Sequence, residues 1–399
     1  FGTPISTSTR RITAAKAVLS FSKTSLIIVL FIQFFSIFIL YKNNTISFLN
    51  MDKKDPIHIK FMQRCLDLAN KGLGQTYPNP LVGSVLVYNE KIVSEGWHQK
   101  KGEAHAEVHA INNLKNKSIL KQCTLYVNLE PCSHHGSTPP CSDLIILSEI
   151  PCVVIGCSDP FELVNGKGIQ KLKKSGCEVI LGVLEEEAKA INKRFFTYHR
   201  KKRPYIILKW AQSSDGFIAP TKESRLSEDP FWLTNEASQT LSHLWRSQEQ
   251  SILVGVQTVV DDNPSLTTRK VDGNSPLRIV IDPKGRIPKE AALLNDKNNT
   301  LVISSQKNDT IEEVVVLDFN LILEKLCSLL YDRNIQSVII EGGSITLQAF
   351  IDSNLWDEAR VFVTPSILKD GIKKPKLEGT AQESILIEED RLDVFYSKC

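Results

Sequence analysis

The chain switches repeatedly between two hydrophobic periods, and the switch points predict its elements. Ile57, Phe61, Cys65, Leu68 and Ala69 recur at helical spacing and give way near Gly72 and Gly74, so 57–72 is predicted as a helix. Leu81 to Tyr88 and Ile92 to Glu95 read as strands joined by a turn at Asn89-Glu90. A helix is expected from Glu103, a strand over 124–128, a helix from about Ser142 and a strand over 153–156. A helix over 168–174, a strand over 178–181 and a helix over about 184–198 follow. The charged run 199–203 then interrupts the pattern and reads as a solvated linker. Beyond it, strands are expected at 205–210, 252–254, 278–281, 301–304, 337–340 and 359–364, with helices at 235–247, 321–333 and 344–352. Alternation of this kind predicts an α/β protein in which each half builds a sheet covered by helices.

A length of 399 residues fits two or three domains. The first fifty residues do not share the pattern. Ser25 to Tyr41 is an apolar run of 17 residues, at the short end of a membrane span, and the segment holds five basic residues and no acidic one. Read literally it is a signal anchor, which would send everything after it out of the cytoplasm. Because the first methionine is Met51, directly before a polar, helix-like start, 1–50 is expected to be translated upstream sequence or a leader. Without it, the 48 basic residues fall to 43 against 45 acidic ones, a body with no electrostatic footprint for nucleic acid. Nine irregularly spaced cysteines suggest no disulfide framework and fit a reducing cytoplasm.

The chemistry concentrates between His105 and Cys141. His105-Ala106-Glu107 is followed by Pro131-Cys132, eight intervening residues and Cys141. Two thiolates and an imidazole leave the fourth position of a tetrahedral Zn2+ open to water, whose pKa falls from 15.7 to roughly 7. Glu107 is placed to carry the proton from that water to a leaving nitrogen. Nucleic-acid base deaminases have two residues between the cysteines, so the match is to the chemistry and not to those editors. His105 and His109 stand four apart, but Ala106 occupies the position where a zinc protease needs glutamate. A Cys132–Cys141 disulfide is the other alternative, and His109, His134 and His135 read as bystanders.

In the second half, the apolar strand 337–340 ends in Glu341-Gly342-Gly343-Ser344 and enters a helix, where backbone N–H groups can meet a phosphate. A tight turn needing positive φ accounts for the glycines equally well. The pattern is not G-x-G-x-x-G, which argues against a Rossmann domain. Arg246 and Arg269 could grip a phosphate through planar guanidinium forks.

Several segments together resemble the bifunctional deaminase/reductase family of riboflavin biosynthesis over nearly all of 51–399. They are Tyr77-Pro-Asn-Pro-Leu-Val-Gly83, Gly96-Trp-His-Gln99, His105-Ala-Glu107, Leu129-Glu-Pro-Cys-Ser-His-His-Gly136 and Thr138-Pro-Pro-Cys141. In the second half they are Pro204-Tyr-Ile-Ile-Leu-Lys209, Ser214-Asp-Gly216, Trp232-Leu-Thr234, Asp262-Asn-Pro264 and Glu341-Gly-Gly343. The resemblance implies a cytidine-deaminase-like α/β/α domain at 51–198, a linker at 199–203 and a dihydrofolate-reductase-like α/β domain at 204–399. The first would hydrolyse the 2-amino group of 2,5-diamino-6-(5-phosphoribosylamino)pyrimidin-4-one; the second would reduce the product's ribosyl group with NADPH. Carried over by position, Asn79 and His98 would hold the pyrimidine. Ala211, Trp232, Thr258, Asp262, Gly343, Ser344, Ile345 and Thr346 would line the NADPH site. Arg246, Leu266, Arg269 and Glu341 would contact the phosphoribosyl substrate.

Three places depart from the family. Ser137 stands where Lys or Arg is usual, Phe161-Glu162 lacks the usual Asn, and Pro230, in the divergent segment 226–231, replaces a substrate-binding Ser. Two rival readings are a deaminase of another nucleoside or nucleic-acid base with an unrelated C-terminal domain, and a membrane-tethered, non-catalytic binding protein. The charge balance and cysteine spacing oppose the first rival, and the complete His105–Glu107–Cys132–Cys141 set opposes the second. The expected partner is a small phosphoribosyl pyrimidine, with no nucleic acid and no membrane for the catalytic part; the sequence leaves a homo-oligomer open.

Overall fold

The computed structural model describes residues 52–134, 139–161, 164–221 and 231–398, so the leader, His135, Ser137, Glu162 and Pro230 lie outside the described residues. No helix among the described residues is long and apolar enough to cross a membrane.

The first half opens with α1 (Pro56–Asn70), whose start is fixed by Asp55: its carboxylate accepts from Ile57 N at 2.9 Å, with Pro56 in the first turn. Then come β1 (Gly83–Tyr88), β2 (Lys91–Trp97), α2 (Ala106–Asn113), β3 (Thr124–Leu129), α3 (Cys141–Leu147), β4 (Cys152–Cys157), α4 (Lys167–Lys174), β5 (Glu178–Leu181), α5 (Glu185–Ile191) and α6 (Lys193–Lys201). The five strands form one mixed sheet in the order β2-β1-β3-β4-β5, antiparallel across β2-β1-β3 and parallel across β3-β4-β5. The two-residue strand period divides the core into two layers. Leu125, Val127, Val153 and Ile155 pack against Ile145 and Leu172, while Tyr126 and Val154 pack against Phe61, Met62 and Cys65 of α1. Helices cover both faces, as the alternation predicts.

The second half contains β6 (Tyr205–Gln212), β7 (Phe217–Ala219), α7 (Glu236–Gln248), β8 (Ser251–Gly255), α8 (Val256–Asp262), β9 (Leu277–Ile281), β10 (Thr300–Ser304) and β11 (Val314–Val316). It continues with α9 (Ile322–Asp332), β12 (Ser337–Ile340), α10 (Ser344–Asp352), β13 (Glu358–Val363), β14 (Ile372–Lys373), β15 (Glu383–Ile387) and β16 (Asp390–Tyr396). Nine strands make one sheet ordered β11-β10-β9-β8-β12-β6-β13-β16-β15. It is parallel from β11 to β13, with β16 and β15 added antiparallel at one edge. β8, β12 and β6 therefore end side by side, and that carboxyl edge is where ligands bind in open α/β sheets.

Two expectations are corrected. The helix predicted over 184–198 is broken at Asn192, whose side chain accepts from Leu81 N at 2.8 Å and donates to Leu81 O at 2.9 Å. The run 199–203 is exposed at residues 200–202 but is helical through Lys201 and buried at Arg203, so it is only partly the solvated linker expected. Helix α6 continues through Lys201, and buried Arg203 forks onto Asp357 at 2.5 and 2.9 Å, with Lys201 on the same carboxylate at 3.0 Å. A buried carboxylate needs such partners, and that draws Arg203 inward while Arg200, Lys201 and Lys202 stay exposed.

The halves meet through buried polar groups. Lys193 pairs with Glu358 at 2.6 Å, and Arg194 forks onto Glu249. Tyr77 donates to Gln248 O at 3.1 Å, Gln336 Nε2 to Pro78 O at 2.6 Å and Tyr198 to Tyr331 O at 3.0 Å.

Candidate active sites

In the first half, three ligand-type side chains converge from separate elements. His105 precedes α2, Cys132 lies in the loop after β3, and Cys141 opens α3; their donor atoms all lie within 4.8 Å of one another. His105 Nδ1 is 3.2 Å from Cys141 Sγ and 3.6 Å from Cys132 Sγ. A tetrahedral zinc with ordinary Zn–S and Zn–N lengths needs nitrogen–sulfur separations of about 3.5 Å, so this donor set fits the metal. Both cysteines are free, which removes the disulfide alternative. The backbone N–H of Cys141 donates to Cys132 Sγ at 3.3 Å. The hydrogen bond shared with Cys141, with help from His105, pulls the Cys132 thiol below its usual range, while the same shared bond and burial push the Cys141 thiol up. Among the described residues no other cluster of this kind occurs.

Glu107 lies in the first turn of α2 and is 3% exposed. Burial pushes its carboxyl up, with His105 pulling the other way. The set opens into a cavity of about 520 Å³, also lined by Asn79 and His98. His98 Nδ1 faces the Ala104 carbonyl at 3.1 Å and so carries the proton; its Nε2 then accepts from Asn79 Nδ2 at 3.0 Å. Burial lowers the His98 pKa, which keeps the ring neutral.

Among the cavity residues that escaped the sequence reading are two carboxylates. Glu130 is buried and accepts from the backbone N–H groups of Asp159, Gly166, Gly168 and Ile169 at 2.9–3.2 Å, tying two loops into the cavity wall. Asp159 lines the same wall, its carboxyl pushed up to about 7 by burial. An acidic residue within Leu129-Glu-Pro-Cys was the available signal for the first. Nothing local separates Asp159 from an ordinary loop aspartate.

In the second half, the ends of β8 and β12 draw Thr258, Gly343 and Thr346 of the expected cofactor set together. Gly343 N donates to Thr258 Oγ1 at 3.1 Å, and a Cβ on Gly255 would lie 2.6 Å from Thr346 Oγ1. Gly343 has φ +30, and a Cβ on Gly342 would meet Val254 Cα at 2.5 Å, so both positions need glycine. Ser344, Ile345 and Thr346 form the first turn of α10, with Ile345 exposed. Ala211 lies near the end of β6, Asp262 ends α8, and Trp232 is exposed before α7. A helix start fronted by glycines suits the pyrophosphate of NADPH.

Beside this turn, Glu341 follows β12 and receives Arg246 in a fork, Nε at 3.1 Å and Nη2 at 2.7 Å, with Lys209 at 3.7 Å. Arg246 is buried and also reaches Thr267 O at 3.4 Å, so its guanidinium is committed to the protein. Arg269 is exposed; its Nη1 donates to Thr267 Oγ1 at 3.1 Å and its backbone N–H to His243 Nδ1 at 3.1 Å. Leu266, with φ +54, buries its side chain between them in sequence. Lys209 was missed, although a lone lysine inside the apolar strand Tyr-Ile-Ile-Leu-Lys-Trp was a visible signal.

Comparison with known proteins matches both halves. Residues 56–157 fit the cytidine and deoxycytidylate deaminase zinc-binding region, and residues 204–388 the RibD C-terminal domain. The chain is 40% identical over 346 residues to riboflavin biosynthesis protein RibD of Aquifex aeolicus, covering 84% of this chain and 94% of that protein. Identity to the Escherichia coli RibD is 34%, over 77% of this chain and 88% of that one. The crystal structure of a diaminohydroxyphosphoribosylaminopyrimidine deaminase/5-amino-6-(5-phosphoribosylamino)uracil reductase from Thermotoga maritima matches with a TM-score of 0.78 at 35% identity, covering 86% of this chain and 99% of its own. Similarity that runs across both domains in the same order, and not across one alone, places the chain in the RibD family, the bifunctional deaminase/reductases of riboflavin biosynthesis.

Proposed function

We propose that the first site hydrolyses the 2-amino group of 2,5-diamino-6-(5-phosphoribosylamino)pyrimidin-4-one and the second reduces the deaminated product's ribosyl group to ribityl with NADPH. The supporting observation is the His105–Cys132–Cys141 donor set opening, beside buried Glu107, into a cavity of about 520 Å³. That volume is in the range of small-molecule sites and suits a nucleotide-sized substrate. When bound, zinc would lower the pKa of water to roughly 7 and so provide the nucleophile. Glu107 takes the proton from the attacking water and returns it to the departing amine. Asn79 orients the pyrimidine, held in place by the neutral His98. The working domains are 51–198 and 204–399, joined through the end of α6, in a cytoplasmic enzyme that shares the NADPH pool and needs no nucleic acid.

Incubating the chain with the diaminopyrimidine phosphoriboside should release ammonia without NADPH, then oxidise one NADPH per ammonia once the cofactor is added. Ammonia from cytidine or a base in nucleic acid, with none from the phosphoriboside, would favour the rival deaminase.

In the reductase site Thr258 and the Gly343–Thr346 turn take the NADPH pyrophosphate, with Ala211, Trp232 and Asp262 beside them. Since Arg246 is locked onto Glu341, the cation left for the substrate's 5′-phosphate is Arg269, with Leu266 packing near it. Charge-assisted hydrogen bonds are worth roughly ten- to a hundredfold in affinity, so Arg269→Ala should raise the reductase KM by about that factor. Deamination and NADPH affinity should stay near wild type. Titrating NADPH and following both half-reactions decides it: lost cofactor binding with a normal substrate KM would mean the two phosphate sites are exchanged.

A further inference from the structure

The deaminase cavity is not built by the first domain alone. Its lining runs from His105, Glu107 and Cys132 past Asp159 and Phe161 to His199 and Lys202, and then to Tyr331, Asn334 and Gln336 of the second domain. A succession of ring contacts marks this route: His134 to Phe161 at 6.0 Å, Phe161 to His199 at 4.9 Å, Tyr198 to His199 at 5.2 Å and Tyr198 to Tyr331 at 4.6 Å. It ends at Lys202, whose Nζ lies 5.8 Å from the Tyr331 ring centre. Among the described residues that line the cavity, Lys202 is the one lysine or arginine. Residues 135–138 and 162–163, which adjoin the lining in sequence, contain neither. His199 adds no charge near neutral pH, because burial lowers its pKa to about 4. Glu103 and Glu130, acidic side chains on the same wall, would repel a phosphate. Lys202 also caps α6 with φ +53, a left-handed position where glycine is the usual residue.

We propose that Lys202, at the junction of the two domains, binds the 5′-phosphate of the phosphoribosyl substrate in the deaminase cavity. This rests on reading that cavity as the deaminase site for a phosphorylated substrate. Gln336, buried in the cavity lining with its Oε1 lacking a hydrogen-bond partner, supplies an acceptor for a hydroxyl of the ribose, which can donate where the phosphate cannot.

The test uses the full chain, the diaminopyrimidine phosphoriboside and its dephosphorylated riboside, with Lys202→Gly and Lys202→Arg. Glycine suits the left-handed backbone, so K202G should melt at or above the wild-type temperature. It should raise the deaminase KM for the phosphorylated substrate by about tenfold or more, with kcat changing much less, while K202R stays near wild type. The riboside should be handled alike by all three. A wild-type KM for K202G on the phosphorylated substrate, or an equal rise with the riboside, would overturn the assignment while leaving the deaminase reading intact. If the wild-type chain releases no ammonia from either compound, the deaminase reading falls and the role of Lys202 with it.

Discussion

Glu107→Gln should lower ammonia release by about 10²–10⁴-fold while the chain keeps one zinc, because general acid–base help is typically worth that much. The amide preserves size and can still hydrogen-bond, but it cannot accept the proton of the attacking water. Glu107 is placed beside the donor set by the first turn of α2 and is not itself one of the three donors, so metal content should not change. Reduction of pre-deaminated substrate should be untouched, since that chemistry lies at the edge of the other sheet. Metal analysis, ammonia release and NADPH oxidation on one preparation separate these effects. Near wild-type deamination would remove Glu107 from the mechanism; loss of zinc would make it a structural support of the site.

Glu341→Gln should both unseat the reductase and weaken the fold. Burial alone would raise the Glu341 carboxyl, but the charges of Arg246 and Lys209 outweigh it and hold the group down at about 2. The substitution leaves a buried guanidinium and a buried ammonium without their counter-charge. Removing one member of a buried pair costs about 3–5 kcal/mol. Urea unfolding of the second domain should shift accordingly, and reductase activity should drop while ammonia release from the first domain persists. The pH dependence has a definite sign. A carboxyl lowered from about 4.3 in the unfolded chain contributes stability that is complete above that pH. It is lost as pH falls through about 2 in the folded protein, and E341Q should lack this acid-side loss. An unchanged urea midpoint would mean that the fork does not hold the β12 end in place.

The deaminase centre was legible because its ligands and its acid lie in two short motifs whose spacing carries chemical meaning. The reductase site was harder to read. A guanidinium is visible at Arg246, but its partner Glu341 lies 95 residues away, and only the fold shows that the two neutralise each other. Elements followed the same rule. Strands such as β4 and β12, buried along their length, appeared as apolar runs. The edge hairpin β15–β16 was not seen, because β15 alternates between half-buried and exposed positions against a single neighbour. Helix α8 was hidden by its brevity, seven residues directly after β8 with no loop to announce it. Asn192 broke a helix for the sake of Leu81, a contact of 111 residues' separation that no local pattern encodes.

Strand β12 has one residue at each end with a different loyalty. Gln336, just before it, belongs to the wall of the deaminase cavity, and Glu341, just after it, anchors the reductase cluster. Five residue steps at about 3.3 Å each put these poles about 17 Å apart along the strand axis. The strand is buried throughout and flanked by β8 and β6. The strand itself leaves no opening for a nucleotide-sized intermediate. A deaminated sugar phosphate passed between the two poles within one chain therefore travels around the sheet, a path longer than the strand that divides them.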